Sequence, residues 1–120
     1  MIFQKLRDFL DYLERTDQLV RIARPVSVDL EMAEISDRTM KLAGGGPALL
    51  FERPVLMDGT KSDIPVAMNI FGSWARISAA LGVRDLQEHA DRIQELVKPE
   101  IPKGLWGKIQ LLPKLAELAK

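Results

Sequence analysis

The sequence predicts an α+β (mixed α/β) domain: a small mixed β-sheet of about three strands packed with helices, in the order α-β-α-β-β-α-α-α. Three observations carry this. Apolar residues recur at helical spacing near the start, in the middle and through the C-terminal third. Two short apolar runs, at 19–26 and 48–51, flank one of those helical segments, as in a β-α-β crossover with parallel strands. A third apolar run, at 64–71, is separated from the second only by a turn, which suits an antiparallel pair.

Each element has its own signature. Leu6, Phe9, Leu10 and Leu13 share one face of a helix over roughly 3–15, with Arg7, Asp8, Asp11, Glu14 and Arg15 on the other. Residues 19–26 alternate, Val20, Ile22 and Arg24 against Leu19, Arg21 and Ala23, and Pro25 is expected to end that strand. Asp29 is the expected N-cap of the next helix, with Glu31 and Glu34 near its positive end. Its buried stripe is Met32, Ile35, Ser36, Thr39, Leu42 and Ala43. Gly44-Gly45-Gly46-Pro47 stops it. A buried strand at 48–51, a turn at 53–63 holding Asp58-Gly59, and a strand at 64–71 opening with Pro65 follow. Ser73 caps a short helix containing Ile77, Ala80 and Leu81, closed by Gly82. Asp85 and Glu88 form a capping-box-like start for a helix whose stripe is Leu86, Ala90, Ile93, Leu96 and Val97. Pro99 and Pro102 mark a linker at 98–104. Leu105, Ile109, Leu112, Leu115 and Leu118 then form a last amphipathic segment, which Pro113 is expected to kink or split in two. The domain division read from this is 1–97, an α/β domain, and 98–120, a linker and helix.

Composition bounds the function. At 120 residues, 47% apolar and 28% charged, the chain is an ordinary globular domain with enough material for a core. Lys plus Arg and Asp plus Glu both number 17, a zero balance that argues against a dedicated nucleic-acid partner. The count of zero cysteines removes disulfides, thiolate metal sites and cysteine nucleophiles, and suits a cytoplasmic location. No apolar run approaches the ~18 residues that span a membrane, and the amphipathic, charged start is unlike a signal peptide.

Several groups invite a functional reading. Gly44-Gly45-Gly46 suggests a phosphate loop, but phosphate loops precede a helix and this run follows one, so a helix cap and turn is the better reading. Glu31, Glu34, Asp37 and Arg38 form a charged helix face; Glu34 and Arg38 are spaced for an ion pair, and a solvated face or interdomain contact is expected. His89, the single histidine, lacks a recognisable ligand set and is expected to be an exposed helix residue. Asn69 and Arg76 flank the junction Ile70-Phe71-Gly72-Ser73; such a junction can bind anions, while Phe71 and Trp74 packing the helix on the sheet is the structural alternative. Lys98, Lys103, Lys108, Lys114 and Lys120 against Glu100 and Glu117 make the tail basic, with Trp106 among leucines. Packing on a neighbouring domain or subunit is favoured over contact with an anionic membrane, because Gly107 and Pro113 weaken a free-standing helix. No catalytic, cofactor-binding or metal-ligating constellation is evident, so no residue is assigned those roles.

The wording of the chain closely resembles the N-terminal domain of the UbiD family of carboxy-lyases. The matching segments, in order, are L-R-D-F-L-D-Y-L-E at 6–14, L-V-R-I at 19–22, L-E-M-A-E-I-S-D-R-T at 30–39 and G-G-P-A-L-L-F-E at 45–52. I-P-V at 64–66, N-I-F-G-S at 69–73, A-R-I-S-A-A-L-G at 75–82 and P-E-I-P-K-G at 99–104 complete the set. The start and the P-E-I-P-K-G tail are most similar to the ubiquinone-pathway branch acting on 3-polyprenyl-4-hydroxybenzoate; the longer turn at 55–62 departs from it. The resemblance implies a full enzyme that removes carbon dioxide from an aromatic or α,β-unsaturated acid. It would use prenylated flavin mononucleotide with manganese, and often potassium, the flavin accepting the electrons left behind. The resemblance assigns that chemistry to a central flavin-binding domain outside this stretch, which would itself bind no cofactor and be inactive alone. It further implies docking on that domain of the same protein and a homo-oligomer, and the zero charge balance leaves no nucleic-acid partner expected. The location implied is cytoplasmic, with peripheral contact at the inner membrane face as an option. A free-standing interaction or membrane-surface adaptor is the alternative.

Overall fold

A computed structural model describes residues 3–98 and 104–119. The chain divides into two compact units, residues 1–89 and 90–120, with the division falling inside one helix. The elements are α1 (Leu6–Arg15), β1 (Leu19–Ser27), α2 (Glu31–Met40), β2 (Ala48–Val55), β3 (Val66–Met68), α3 (Trp74–Leu81), α4 (Leu86–Val97) and α5 (Leu105–Leu118). A short 3-10 turn, Ala43–Gly45, follows α2. The fold class and element order are those the sequence predicts.

The sheet has the order β1-β2-β3. β1 and β2 are parallel, with Leu19 opposite Ala48 and Val26 opposite Pro54. β2 and β3 are antiparallel, with Leu49 opposite Met68 and Phe51 opposite Val66. Alternation along β2 sends successive side chains to opposite faces and so builds two cores. On one face Leu49 and Phe51 pack with Val26 and Met32, supported by Ile22, Ile35, Val66 and Met68. On the other, Ala48 packs with Phe9 and Leu13, supported by Tyr12, Leu19, Ile70, Ala79 and Ala80. Helix α2 therefore covers one face and α1 and α3 the other. Phe51 and Leu13 are fully enclosed, each worth about 1.5–3 kcal/mol of burial.

The structure corrects several boundaries. α1 begins at Leu6, not residue 3. β1 runs through Pro25 to Ser27. It is an edge strand whose register shifts between Ile22 and Pro25, and pairing resumes with Pro25 opposite Arg53, an edge position next to a bulge where a missing proline N–H is tolerated. The N-cap of α2 is Leu30, at φ +62°, not Asp29. Ahead of the helix the Asp29 N–H bonds Ser27 Oγ at 3.0 Å and Glu31 Oε2 accepts from the Ser27 N–H at 3.0 Å, a local side-chain network, and the Leu30 cap itself carries no side-chain bond. α2 ends at Met40, which leaves Leu42 and Ala43 off its stripe and exposed. β2 continues to Val55, because Pro54 is fully buried and a bridge from Val55 to Lys61 closes a hairpin around Asp58-Gly59. β3 spans only Val66–Met68, because Asn69 turns to φ +56°.

Ser73 caps α3 as expected, its hydroxyl accepting from the Arg76 N–H at 3.2 Å, and Gly82 closes it at φ +68°. Asp85 accepts from the Glu88 N–H at 2.9 Å, while Glu88 reaches back to the Arg84 N–H at 3.0 Å, a capping box shifted by one residue. Of the α4 stripe Leu86, Ala90, Ile93, Leu96 and Val97, the large residues Ile93, Leu96 and Val97 are exposed. α5 is one helix through Pro113 rather than two: a single proline removes one backbone bond, and the bonds on either side persist. The expected linker at 98–104 falls outside the described residues at 99–103.

Candidate functional site

Three segments far apart in sequence meet at one end of the sheet: the turn at 43–47, the β3–α3 junction at 69–73, and the first turn of α3. Asn69 sits at a positive φ that asparagine tolerates better than most residues. This conformation stops β3 and sends the side chain across to the glycine turn. Asn69 Nδ2 donates to the Gly45 carbonyl at 2.8 Å and the Pro47 carbonyl at 2.9 Å. Arg76 follows from α3 and is only 3% exposed. Its Nη2 donates to the Gly46 carbonyl at 2.8 Å and the Asn69 carbonyl at 3.1 Å, and its Nε to the Ile70 carbonyl at 3.2 Å.

The glycine spacing makes the approach possible. A Cβ on Gly45 would lie 1.7 Å from the Gly72 carbonyl oxygen, and one on Gly72 would lie 2.0 Å from Asn69 Oδ1. The two backbones thus touch where no side chain fits. Burial pushes the Arg76 guanidinium below its ordinary pKa, and it forms no ion pair among the described residues. Its charge is met by three carbonyl dipoles, which compensates part of the desolvation cost.

This arrangement agrees with the cap-and-turn reading of the glycine run. The carbonyls of Gly45, Gly46 and Pro47 are consumed by Asn69 and Arg76, and the Gly45 N–H bonds the Leu42 carbonyl at 2.9 Å. The run turns its acceptors toward protein donors and serves as a clasp between the turn and the β3–α3 junction. Asn69 and Arg76 are the residues that hold it. What the clasp leaves outside is a cleft of about 450 Å³ lined by Gly44, Gly45, Phe71, Gly72, Ser73, Trp74 and Ile77. Phe71 stacks on Phe9 with ring centroids 5.9 Å apart but remains 55% exposed, and Trp74 is 74% exposed. Packing the helix on the sheet therefore does not account for Trp74. The cleft lining is mostly apolar and aromatic, with no titratable side chain.

The other candidates stay apart. Glu34 and Arg38 form an exposed ion pair at 2.6 Å, and Asp37 pairs with Lys41 at 2.6 Å, which raises the Lys41 pKa. His89 is half-buried, not the exposed residue expected. Among the described residues no three His, Asp or Glu side chains converge as metal ligands. Lys103, Lys120 and Glu100 of the basic tail lie outside the described residues, and Trp106 is exposed on α5. One cluster escapes sequence reasoning. Arg21 on β1 donates to Glu14 of α1 through Nε at 2.6 Å and Nη2 at 2.9 Å, and to Glu52 of β2 through Nη1 at 2.9 Å. The Arg21 hydrogen bond holds the Glu14 carboxyl below its ordinary value, and both glutamates raise the Arg21 pKa. No helix or strand spacing rule reveals it, because the three residues meet only through the tertiary fold.

The fold and clasp define a small α+β domain with a three-stranded mixed sheet and an apolar, aromatic cleft beside the glycine turn. The family described as the 3-octaprenyl-4-hydroxybenzoate carboxy-lyase N-terminal domain matches residues 10–97, and the chain belongs to this UbiD N-terminal family. It is 43% identical over 116 residues to an uncharacterised protein of Aquifex aeolicus (strain VF5), covering 97% of this chain and 23% of that one. It is similar in structure to the vanillic acid decarboxylase of Sedimentibacter hydroxybenzoicus in its open form, at 30% identity and a TM-score of 0.59, covering 69% of this chain and 17% of that one. A second open-form structure of that enzyme, with one truncated component, matches equally. The chain thus spans less than a quarter of either relative. No helix among the described residues is long and apolar enough to cross a membrane.

Proposed function

We propose that this chain is the docking domain of a non-oxidative decarboxylase acting on an aromatic or α,β-unsaturated carboxylic acid, with 3-polyprenyl-4-hydroxybenzoate as the substrate class its wording favours. The observation that carries the proposal is family membership together with described residues that bring no convergent set of metal ligands to one place. Manganese would need convergent carboxylate or imidazole ligands, and no such group occurs among the described residues. A flavin phosphate would need free amides or cations; the Gly45 N–H already bonds the Leu42 carbonyl at 2.9 Å and the Gly72 N–H the Asn69 carbonyl at 3.2 Å, and the adjoining cleft carries no charged lining. The residues present do not fit the prenylated flavin–manganese pair, so those groups belong, in this reading, to the further sequence that longer relatives carry. The role of this chain is to hold that polypeptide through apolar contact, and the whole assembles as a homo-oligomer in the cytoplasm.

The test is a side-by-side assay of this 120-residue chain and a longer polypeptide containing it. Each is supplied with prenylated flavin, manganese and vanillate or 4-hydroxybenzoate, and carbon dioxide release and flavin retention on gel filtration are read. The longer polypeptide is expected to retain flavin and release carbon dioxide, the short chain to do neither. Turnover by the short chain would end the proposal.

A further inference from the structure

Helix α5 exposes apolar side chains on opposite sides. Trp106, Ile109, Leu112, Leu115 and Leu118 recur every third residue and are 79%, 47%, 61%, 53% and 81% exposed. With about 3.6 residues per turn, each step of three falls about 60° short of a full circle, so the series winds around the helix instead of forming a face. Residues nine apart are about two and a half turns apart and point in opposite directions. Trp106 and Leu115 are one such pair, and Ile109 and Leu118 another. The apolar arc is about 240° wide, against the roughly 100° stripe of an ordinary surface helix. Only Gln110, Lys114 and Glu117 form a narrow polar stripe, and the sequence places a single charged residue, Lys108, within the arc.

That geometry selects among partners. An interfacial membrane helix has a strongly charged face and buries one side only. A helix apolar nearly all round belongs in a protein interior. The match to the Aquifex relative covers 116 of 120 residues, so it includes positions 5–116 and most of α5, in a protein of which this chain spans 23%. The family match stops at residue 97, so α5 lies beyond it and is nonetheless shared with that longer protein. We infer that α5 is a key inserted into a groove of the further polypeptide that longer relatives carry, enclosed on both the Ile109 and Leu118 sides with the Gln110 stripe left in water. This rests on the docking reading above and names its element and its geometry.

The test uses the absence of native cysteine in this chain. Ile109→Cys, Leu118→Cys and Gln110→Cys are introduced singly, and maleimide labelling at each site is followed by peptide mass in the 120-residue chain and in a longer polypeptide containing it. All three sites are expected to label freely in the short chain. In the longer polypeptide the sites at 109 and 118 should slow at least tenfold while that at 110 stays fast. Protection of one side alone would overturn the groove while leaving docking intact; protection of neither would overturn docking as well. The short chain is also mixed with equimolar phosphatidylglycerol–phosphatidylcholine vesicles. Salt-sensitive protection there would replace the protein groove with a lipid surface and overturn the inference, and unchanged labelling supports it.

Discussion

Gly44 and Gly45 are neighbours that the structure places in very different surroundings, and substituting each by alanine isolates the energy of the clasp. Both have positive φ, +74° and +89°. An added Cβ meets nothing within 4 Å at Gly44 but lies 1.7 Å from the Gly72 carbonyl oxygen at Gly45. Left-handed dihedrals cost alanine about 1–2 kcal/mol, and the stiffer unfolded chain returns about 0.4–1 kcal/mol. Gly44→Ala should therefore lose about 1 kcal/mol. At Gly45 the obstruction is backbone, which no rotamer change relieves, so an overpacking term of about 1–3 kcal/mol is added. Gly45→Ala should lose about 2–4 kcal/mol, a large share of a small domain's stability. Urea unfolding followed by far-UV circular dichroism reads the difference, which at a slope of about 1–3 kcal/mol per molar corresponds to roughly 1 M in midpoint. Equal midpoints for the two variants would refute the close approach of the glycine turn to the β3–α3 junction.

Four further outcomes follow from the same structure. Arg76→Met leaves the carbonyls of Gly46, Asn69 and Ile70 without their donor and should cost about 2–4 kcal/mol in urea unfolding; a neutral result would mean the guanidinium is not part of the clasp. Phe51→Ala, at a fully buried position, should cost about 3–5 kcal/mol by the same assay. The Glu14 carboxyl is held below its ordinary value of 4.5 by Arg21, so the stability it contributes is present above that value and is lost as pH falls through the lowered folded value. The difference between wild type and Glu14→Gln should therefore shrink on acidification, and a difference that grows would contradict the assignment. Pro113 sits inside α5, so Pro113→Ala should raise far-UV helical signal by restoring a backbone bond; a fall would show that the proline shapes the helix productively.

The element order, the parallel and antiparallel pairings and the helix caps at Ser73 and Gly82 were legible because each rests on local pattern: apolar period, glycine and proline placement, a serine before a helix. The misses share a physical cause. β1 passes Pro25 because it lies at the sheet edge, which only the completed strand order reveals. Asp29 yields its capping position to Leu30 because the Glu31 N–H bonds the Asp29 backbone carbonyl at 2.8 Å in a tight turn with Leu30 at positive φ, a turn geometry that a cap rule does not report. β3 stops early because Asn69 gives up strand geometry to bond Gly45 and Pro47 across more than 20 residues of sequence. The clasp was half visible, since Asn69, Gly72, Ser73 and Arg76 were singled out as a junction; its tie to the glycine turn needed tertiary contact. The Glu14–Arg21–Glu52 cluster carried no local signal at all. The apolar stripes of α4 and α5 were legible as stripes, and their exposure agrees with the expected packing of the tail on another polypeptide, but periodicity reports that a face is apolar, not which polypeptide covers it.

The central claim is that this domain works as part of a longer decarboxylase. The most direct measurement is the mass of the species recognised, in the native source, by antibodies raised against the domain. A species several times heavier than 13.5 kDa that co-fractionates with flavin and with decarboxylation of an aromatic acid is the expected result. A single species at 13.5 kDa that carries neither would contradict the claim and leave binding, without decarboxylation, as the function of the fold.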